Sequence, residues 1–217
     1  MNEHILLIDK PLGITSFDVI RRLRRKLGIR KMGHAGTLDP LASGLMIIGV
    51  GEGTKQLTDY VKLDKEYLAE ILVGERRSTG DMEGAVLEEK AVTALDEATV
   101  HRVLKEMTGT LTLPVSAYSA IKKDGVPMYK RARAAEKRGD TVTDVPIREM
   151  VVHEAELLGI STVSKRVVVR VRFAVGSGTY IRSLAEEFGK RLGYPATLKS
   201  LHRTKVGEFR IEDAEVM

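Results

Sequence analysis

The chain has 217 residues and a mass of 24.0 kDa, which is enough for one large domain and well above the length at which a fold depends on disulfides. Its composition, 43% apolar and 30% charged, excludes a disordered or fibrous chain. The absence of cysteine excludes disulfides, thiolate nucleophiles and zinc–thiolate sites. The formal net charge of +5 favours a polyanionic partner.

Two further classes of protein are excluded by the distribution of residue types. No apolar run approaches the roughly 18 residues of a membrane span, and the first residues lack the basic and apolar regions of a signal peptide. We therefore expect a cytoplasmic protein with no membrane partner. No two of the five histidines lie four residues apart on one helix face, so we expect no metal site.

The basic residues are concentrated in two segments. Residues 21–31 carry a charge of +7 and residues 122–138 a charge of +5, which leaves −7 for the rest of the chain. No amphipathic segment combines this charge with Trp or Phe, as a helix on a membrane surface does. A basic face on an otherwise acidic protein therefore predicts binding to a phosphate backbone.

The first predicted elements are a strand over residues 5–8 and a helix that follows a turn. Thr15 is the predicted N-cap of the helix, Asp18 completes a capping box, and Gly28 ends the helix. The apolar residues of this helix recur at helical spacing on one side: Val19, Ile20, Leu23 and Leu27. Its arginines are therefore expected on the exposed side.

Later in the chain, two more helices are predicted over residues 96–108 and 180–192, and two alternating strands over residues 67–73 and 167–175. The arginines of the last strand are expected to face solvent or a ligand. Strands and helices interleave without a strict βαβ rhythm. The pattern therefore predicts an α+β (mixed α/β) fold, with a mixed sheet flanked by helices, over a Rossmann fold.

The glycine-rich segments do not match a nucleotide site. In residues 49–55 the third glycine comes one position early for a dinucleotide fingerprint, and the chain has no Gly-Lys-Ser/Thr. A Gly-x-Ser-x-Gly nucleophile elbow is also absent from the sequence. We expect neither a nucleotide nor any other cofactor.

Residues 33–44 combine three glycines with an Asp-Pro pair. The glycines allow a tight loop, and Pro40 disfavours the helical conformation at Asp39, so the Asp39 carboxylate projects from a rigid loop. An Asp-Pro pair is more often a simple turn, and a histidine such as His34 is more often a loop residue that caps a backbone group. The residues alone leave a presented carboxylate and a structural turn as alternatives.

The motifs of the chain, taken together, resemble those of the TruB family of tRNA pseudouridine-55 synthases. The longest match is the catalytic motif of the family, Gly33-His34-Ala35-Gly36-Thr37-Leu38-Asp39-Pro40 with Ala42-Ser43-Gly44. Other matching segments follow in the same order over essentially the whole chain: residues 7–16, 51–55, 65–67, 79–84, 114–120, 122–125, 178–182 and 201–204. Several long motifs in one order are far more specific than any one of them.

The resemblance implies a pseudouridine-synthase fold, with a central mostly antiparallel mixed sheet flanked by helices. It also implies a basic, thumb-like insertion at about residues 117–145 that clamps RNA. The sequence stops at Met217, before the small C-terminal RNA-binding domain usual in the family, so we expect a single catalytic domain over residues 1–217. Arg77-Ser78 departs from the family pattern, which commonly has an acidic residue there.

The implied activity is the cofactor-free isomerisation of uridine to pseudouridine at position 55 of the tRNA T-loop. By resemblance, Asp39 is the nucleophile and attacks either C1′ of the ribose or C6 of the uracil. Arg182 pairs with it in a bidentate manner. Tyr67 stacks on the uracil and removes the C5 proton directly or through water. Without the resemblance, Tyr67 is equally a core aromatic and Arg182 a surface arginine.

Five other residues are assigned to substrate binding by resemblance. Tyr180 and Leu201 complete the walls of the base pocket. His34 fills the place of the uridine, which must be flipped out of its stack at a cost of a few kcal/mol. Lys10 supports the active-site loop, and Asp81 belongs to the same set.

The remaining implied contacts are with the RNA backbone. Lys130 and Arg131 of the insertion, together with the first helix, contact phosphates and position the RNA without reading its sequence. The implied partner is the T-stem loop of tRNA, and we expect a monomer.

Two other functions remain open at this point. The first is a non-catalytic RNA-binding or RNA-folding protein that uses the same basic surface, and the second is a pseudouridine synthase that acts on another structured RNA. Asp39 separates the first from an enzyme, because a carboxylate paired with an arginine gives a pure RNA binder no advantage.

Overall fold

The computed structural model describes residues 4–119, 121–140 and 142–216. The helices of these ranges are α1 (Ser16–Leu27), α2 (Leu57–Lys62), α3 (Glu97–Glu106), α4 (Met128–Glu136) and α5 (Ile181–Leu192). The strands are β1 (Ile5–Lys10), β2 (Met32–His34), β3 (Ala42–Val50), β4 (Lys65–Val73), β5 (Glu75–Arg77), β6 (Val86–Glu89), β7 (Gly109–Pro114), β8 (Lys122–Lys123), β9 (Val126–Pro127), β10 (Ile147–Val163), β11 (Arg166–Val175), β12 (Ala196–Val206), β13 (Phe209–Arg210) and β14 (Glu215–Val216).

Helix α1 begins and ends where its sequence predicts. The Thr15 hydroxyl accepts a hydrogen bond from the Asp18 amide at 3.1 Å, and the Asp18 carboxylate accepts one from the Thr15 amide at 2.8 Å, so the capping box is confirmed. Gly28 ends the helix in the left-handed region with φ 71°. Val19, Ile20 and Leu23 are buried, whereas Leu27 is exposed.

The other predicted helices are also present, with small differences at their ends. The helix predicted over residues 96–108 is α3 (Glu97–Glu106), with Asp96 as N-cap. The helix predicted over residues 180–192 is α5 (Ile181–Leu192), which Gly193 caps in the left-handed region. Two helices were not predicted. Helix α2 has only six residues, and α4 lies in the basic insertion, where its three buried residues make a weak apolar pattern.

A ten-stranded sheet forms the centre of the molecule. Its main path runs β14-β1-β3-β12-β4-β11-β10-β7, while β2 pairs with β3 and β13 with β12. The β1–β14 and β3–β12 pairs are parallel and the other pairs are antiparallel. The prediction of a mostly antiparallel mixed sheet flanked by helices is therefore confirmed.

The two faces of the sheet are buried by different elements. The larger apolar cluster lies between the sheet and helices α1, α3 and α5, and its largest buried side chains include Phe173 and Phe188. A smaller cluster covers the opposite face around Leu45 and Ile47, with Tyr60 of α2 packed against it. Each fully buried aliphatic or aromatic side chain stabilises the fold by about 1.5–3 kcal/mol, so the larger cluster dominates.

The arginines of β11 face solvent. Arg172 forms ion pairs with Glu66, Glu154 and Glu156 on the neighbouring strands, and Arg170 is exposed. The three carboxylates around Arg172 favour the surface alternative for this residue, because they already neutralise its charge.

The predicted insertion at about residues 117–145 lies between β7 and β10. It contains the two-stranded hairpin of β8 and β9, followed by α4. Ala120 and Thr141 lie outside the described residues. The insertion reaches back to the sheet at the point where β12, β4 and the start of α5 meet. Five of the predicted site residues lie together at this junction: Asp39, Tyr67, Tyr180, Arg182 and Leu201.

Candidate active site

Asp39 lies in the loop between β2 and β3, and its side chain is 42% exposed. The residue before it is held by Ser16 of α1, whose hydroxyl donates to the Leu38 carbonyl at 2.9 Å and accepts from the Leu38 amide at 2.8 Å. The residue after it is held by a hydrogen bond of 2.8 Å from the Gly13 amide to the Pro40 carbonyl. The carboxylate is thus presented to solvent from a backbone that is fixed on both sides.

Lys10 lies beneath this loop and is completely buried. Its ammonium donates to the Ala42 carbonyl at 2.6 Å and to the Pro11 carbonyl at 3.0 Å. Burial lowers the pKa of Lys10 from 10.5 to about 8, although the Asp39 charge acts in the opposite direction. Lys10 therefore supports the loop, as expected, but its assignment to substrate contact is not consistent with its burial.

Arg203 is a second buried cation at the loop, which sequence reasoning did not single out. Its guanidinium donates to the Leu45 carbonyl at 2.7 Å and to the Gly36 carbonyl at 3.3 Å. Gly44 allows β3 to approach it, because a Cβ at Gly44 would lie 2.3 Å from the Arg203 carbonyl oxygen. The only signal in the sequence was that Arg203 lies in the last of the family motifs.

Arg182, in the first turn of α5, faces Asp39. The Arg182 Nη2 lies 3.0 Å from Asp39 Oδ2, and its Nη1 lies 3.5 Å from Asp81 Oδ2. Nη1 also donates to the Thr79 carbonyl at 3.1 Å. The guanidinium is therefore shared between two carboxylates and does not face Asp39 alone, which corrects the expectation of a bidentate pair.

Asp81 is 2% exposed and belongs to the support of Arg182. Its carboxylate accepts hydrogen bonds from the Thr79 hydroxyl and from the Glu83 amide. A buried carboxylate that is satisfied in this way does not reach an RNA ligand. The assignment of Asp81 to substrate binding is therefore replaced by one to the orientation of Arg182.

A cavity of about 310 Å³ opens in front of the Asp39–Arg182 pair. Tyr67, Tyr180 and Leu201 line it, as the resemblance implied. Tyr67 is 8% exposed and lies on β4 between Phe173 of β11 and Arg203 of β12. Burial raises the pKa of Tyr180 above its usual value, so its phenol stays neutral. The carboxylate, the guanidinium and the side chains of three tyrosines, Tyr118 being the third, thus surround a space of the size of a nucleobase pocket.

His34 lies on β2, outside the lining of this cavity. Burial and the charge of Arg203 lower its pKa below 6.5, so its ring is neutral at pH 7. Its Nδ1 is buried without a hydrogen-bond partner.

Lys130 and Arg131 lie on α4 and do not line the cavity. Lys130 is exposed. Arg131 is partly buried and donates to the Lys123 carbonyl at 2.6 Å and to Asp124 at 2.9 Å, which connects α4 with the hairpin of the insertion. Lys130 is therefore available to a phosphate, whereas Arg131 already has partners within the protein.

Other sites of ligand binding are not evident in the part of the chain that the structure describes. No group of three or more His, Cys, Asp or Glu residues is placed to hold a metal ion there. Among the described residues, no helix is long and apolar enough to cross a membrane. A larger cavity of about 540 Å³ lies beside α5. Its lining is mixed and includes Lys90, Glu186 and Tyr194, but it contains none of the predicted site residues.

Comparison with solved structures agrees with the fold described above. A chain in the crystal structure of a Cbf5-Nop10-Gar1 complex superposes with a TM-score of 0.72 at 26% sequence identity, and the match covers 99% of this chain and 52% of that chain.

Comparison of sequences identifies the family. A tRNA pseudouridine synthase B from Thermobifida fusca (strain YX) is 40% identical over 221 residues, which cover 100% of this chain and 74% of the relative. One from Desulfotalea psychrophila (strain LSv54 / DSM 12343) is 44% identical over 215 residues, which cover 97% and 84%. A family model described as TruB family pseudouridylate synthase (N terminal domain) matches residues 24–181. The resemblance found in the sequence is thus confirmed, and the chain belongs to the TruB family of pseudouridylate synthases.

Proposed function

We propose that this chain isomerises uridine to pseudouridine in the T-loop of tRNA, at position 55. One observation carries the proposal: a carboxylate, Asp39, stands 3.0 Å from a buried guanidinium, Arg182, at the wall of a cavity lined by tyrosines. The names of the relatives support tRNA as the substrate. A protein that only binds RNA gains nothing from a negative charge fixed in this position, because it repels phosphate.

The reaction needs no external oxidant or reductant. The bond between N1 of the uracil and C1′ of the ribose breaks, the base rotates, and a bond between C5 and C1′ forms. The C5 proton leaves and N1 gains a proton, so product and substrate are isomers. Asp39 acts as the nucleophile, at C1′ or at C6, and is released when the new bond is complete. The loop geometry suits this role, because hydrogen bonds on both sides of Asp39 fix the position of the attacking oxygen.

Arg182 orients Asp39 and stabilises its charge. It is itself held by Asp81 and by the Thr79 carbonyl, so its direction is set before the substrate arrives. Charged groups that are fixed in advance in a closed pocket stabilise a transition state without reorganising during the reaction. We infer that Asp81 acts through Arg182 as a positioning residue.

Tyr67, Tyr180 and Leu201 form the walls of the base pocket. We infer that the Tyr67 ring stacks on the uracil and that its phenol removes the C5 proton, directly or through a water molecule. The position of Tyr67 on a central strand, between two neighbouring strands, gives it the rigidity that a stacking partner needs.

The RNA reaches this pocket with the target base out of its stack. We infer that His34, which is partly exposed on β2, occupies the vacated place. The exposed basic side chains of α1 and of the insertion supply phosphate contacts to the T-stem loop. We further infer that the chain acts as a monomer and that residues 1–217 fold as one catalytic domain with an RNA-clamping insertion at 117–145.

The test is incubation of the protein with an unmodified tRNA transcript, followed by chemical mapping of pseudouridine. We expect one pseudouridine, at position 55, and none with Asp39→Asn protein prepared in parallel. A wild-type protein that binds the transcript without forming pseudouridine would contradict an enzymatic function. Modification of another structured RNA, with the T-loop untouched, would retain the chemistry and refute the substrate.

A further inference from the structure

The segment between β7 and α4 passes directly behind the catalytic arginine. The Ser116 hydroxyl lies 3.2 Å from Arg182 Nη1, and the Tyr118 carbonyl accepts a hydrogen bond of 3.3 Å from Arg182 Nη2. The Tyr118 amide donates to the Ser116 hydroxyl at 3.2 Å, which ties the two residues together. Nη2 is the nitrogen that faces Asp39, so the main chain at Tyr118 takes part in aiming it.

The side chain of Tyr118 points to the insertion. Its phenol donates a hydrogen bond of 3.0 Å to Glu136, the last residue of α4. One residue therefore connects α4, through its side chain, with Arg182, through its carbonyl. Its ring also lines the cavity and is partly buried.

Helix α4 is held to this segment at both ends, but in different ways. At its start, the Met128 amide donates to the Ile121 carbonyl at 2.8 Å and the Tyr129 amide to the Ser119 carbonyl at 3.0 Å. At its end, the hydrogen bond between Tyr118 and Glu136 is made by side chains alone. Substitution can remove the second attachment without disturbing the first.

The position of Glu136 is electrostatically unfavourable, which suggests that its carboxylate is kept as the acceptor for the Tyr118 phenol. It is the only acidic residue between Lys130 and Arg138, and it stands at the C-terminal end of a helix, where the helix dipole disfavours a negative charge. A carboxylate on an RNA-facing surface also repels phosphate. Both costs are offset if the carboxylate is required as the acceptor for the Tyr118 phenol.

We propose that Tyr118 is a positioning residue that makes the orientation of Arg182 depend on the seating of α4. Glu136 holds the phenol, the phenol fixes the peptide of Tyr118, and the carbonyl of that peptide orients Nη2 towards Asp39. The proposal rests on the proposed function, because it needs the Asp39–Arg182 pair to be catalytic. Binding of phosphates to the basic side chains of α4 then stabilises the same arrangement that the reaction uses.

The test measures single-turnover rate and RNA affinity separately, in Tyr118→Phe, Glu136→Ala and the double variant. Tyr118→Phe keeps the ring and the carbonyl, so we expect a rate about tenfold lower with a dissociation constant within about twofold of wild type. Glu136→Ala removes a repulsive charge, so we expect tighter RNA binding together with a similar loss of rate. The double variant is expected to be no slower than either single one, because both break the same link.

Two controls separate this role from a loss of structure. Glu136→Gln retains an acceptor oxygen and is expected to recover most of the rate. Tyr60→Phe removes a phenol on α2 that donates to the Gln56 side chain and is not among the residues that line the cavity, and it is expected to behave as wild type. Amide hydrogen exchange at the end of α4 is expected to be faster in Tyr118→Phe than in wild type. This measurement reports on the Tyr118–Glu136 hydrogen bond in the absence of RNA.

Three results would contradict the proposal that Tyr118 positions Arg182. A wild-type rate in Tyr118→Phe, additive losses in the double variant, or a change of affinity without a change of rate would each overturn it, while an active wild-type enzyme leaves the proposed function intact. An inactive wild-type protein would overturn both. The opposite movement of rate and affinity in Glu136→Ala is the result that a purely structural role would not produce.

Discussion

The loop that carries Asp39 and the insertion that carries α4 border the same cavity, yet they are held in different ways. Buried groups anchor the loop: Ser16, Lys10 and Arg203 all bond to its backbone or to the adjoining strand. The insertion exposes most of its charged side chains and, at the end of α4, is attached through the side chains of Tyr118 and Glu136. Chemistry is assigned to the rigid region and RNA contact to the lightly held one.

This difference has a physical basis. A nucleophile and its counter-ion stabilise a transition state best when their positions are fixed before the substrate binds. A clamp on RNA must allow the substrate to enter and leave, which requires a segment with few buried contacts. The substitutions below break one region or the other. We expect effects on rate from the loop and, apart from the Tyr118–Glu136 link, effects on affinity from the exposed basic side chains of the insertion.

The largest effect is expected from Asp39→Asn. The amide keeps the size of the side chain and loses its nucleophilicity, so the rate of pseudouridine formation should fall by at least about 10³-fold while T-arm binding stays near wild type. Single-turnover assays and filter binding measure the two quantities. Residual turnover above a few per cent would refute the assignment of Asp39 as nucleophile.

Arg182→Lys tests whether catalysis needs the two separate nitrogens by which the guanidinium contacts Asp39 and Asp81. A lysine keeps the charge but cannot serve Asp39 and Asp81 together, because its ammonium is a single point. We expect the rate to fall by between about 100- and 1000-fold with a modest loss of affinity. If Arg182→Lys were nearly as active as wild type, charge alone would suffice and the geometry of the pair would be irrelevant.

Tyr67→Phe separates stacking from proton removal. The ring remains and the phenol is lost, so we expect binding to persist and the final deprotonation to slow by about 100-fold. The measurement is the single-turnover rate with uridine and with C5-deuterated uridine in the substrate, since a slow deprotonation creates an isotope effect. A wild-type rate would leave Tyr67 with the stacking role only.

For the Asp39 loop and the adjoining helix α1, the sequence predicted the local structure better than the long-range hydrogen bonds that hold the loop in place. The capping box of Thr15 and Asp18 and the C-terminal cap at Gly28 could be predicted, because each of them joins residues that are only a few positions apart. The Arg203–Leu45 bond joins residues 158 positions apart, and no local pattern reports such a pair. For the same reason the burial of Lys10 and of Asp81, and the contact of Asp81 with Arg182, could not be predicted from the sequence.

In the insertion, the sequence indicated the charge but not the structure. Seven basic residues between 122 and 138 predicted contact with phosphate, and this composition hid the short apolar side of α4. The role of Glu136 depends on Tyr118, 18 positions earlier, and so required the folded arrangement.

Lys65, a buried lysine at the wall of the same cavity, makes the stability of the fold depend on pH. It is 8% exposed, lines the cavity and donates to the Val61 and Leu63 carbonyls, and burial lowers its pKa from 10.5 to about 8. The unfolded chain therefore binds more protons than the folded one between about pH 8 and 10.5, so this residue makes the free energy of unfolding rise with pH in that window.

The test compares urea unfolding of wild type and Lys65→Met at pH 7 and 9.5. We expect the difference in free energy of unfolding to shift by about 2 kcal/mol in favour of wild type at the higher pH. Lys105→Met, at an exposed position of α3, serves as the control and should show no such shift. Equal pH slopes for wild type and Lys65→Met would contradict a lowered pKa at this site.

The smallest effect is expected in the insertion, from Lys130→Ala and Arg131→Ala. Lys130 is exposed and forms no ion pair with the residues that the structure describes. Its loss should therefore weaken RNA binding several-fold and reduce the salt slope by about one unit, with the rate at saturating RNA unchanged. Arg131 also holds Lys123 and Asp124, so its loss should in addition loosen the hairpin of the insertion. Lys105→Ala, on a helix that does not line the cavity, is the charge-matched control. Binding titrations at several salt concentrations measure the slope, and a Lys130→Ala variant that loses rate but not affinity would reverse the division of roles between the two regions.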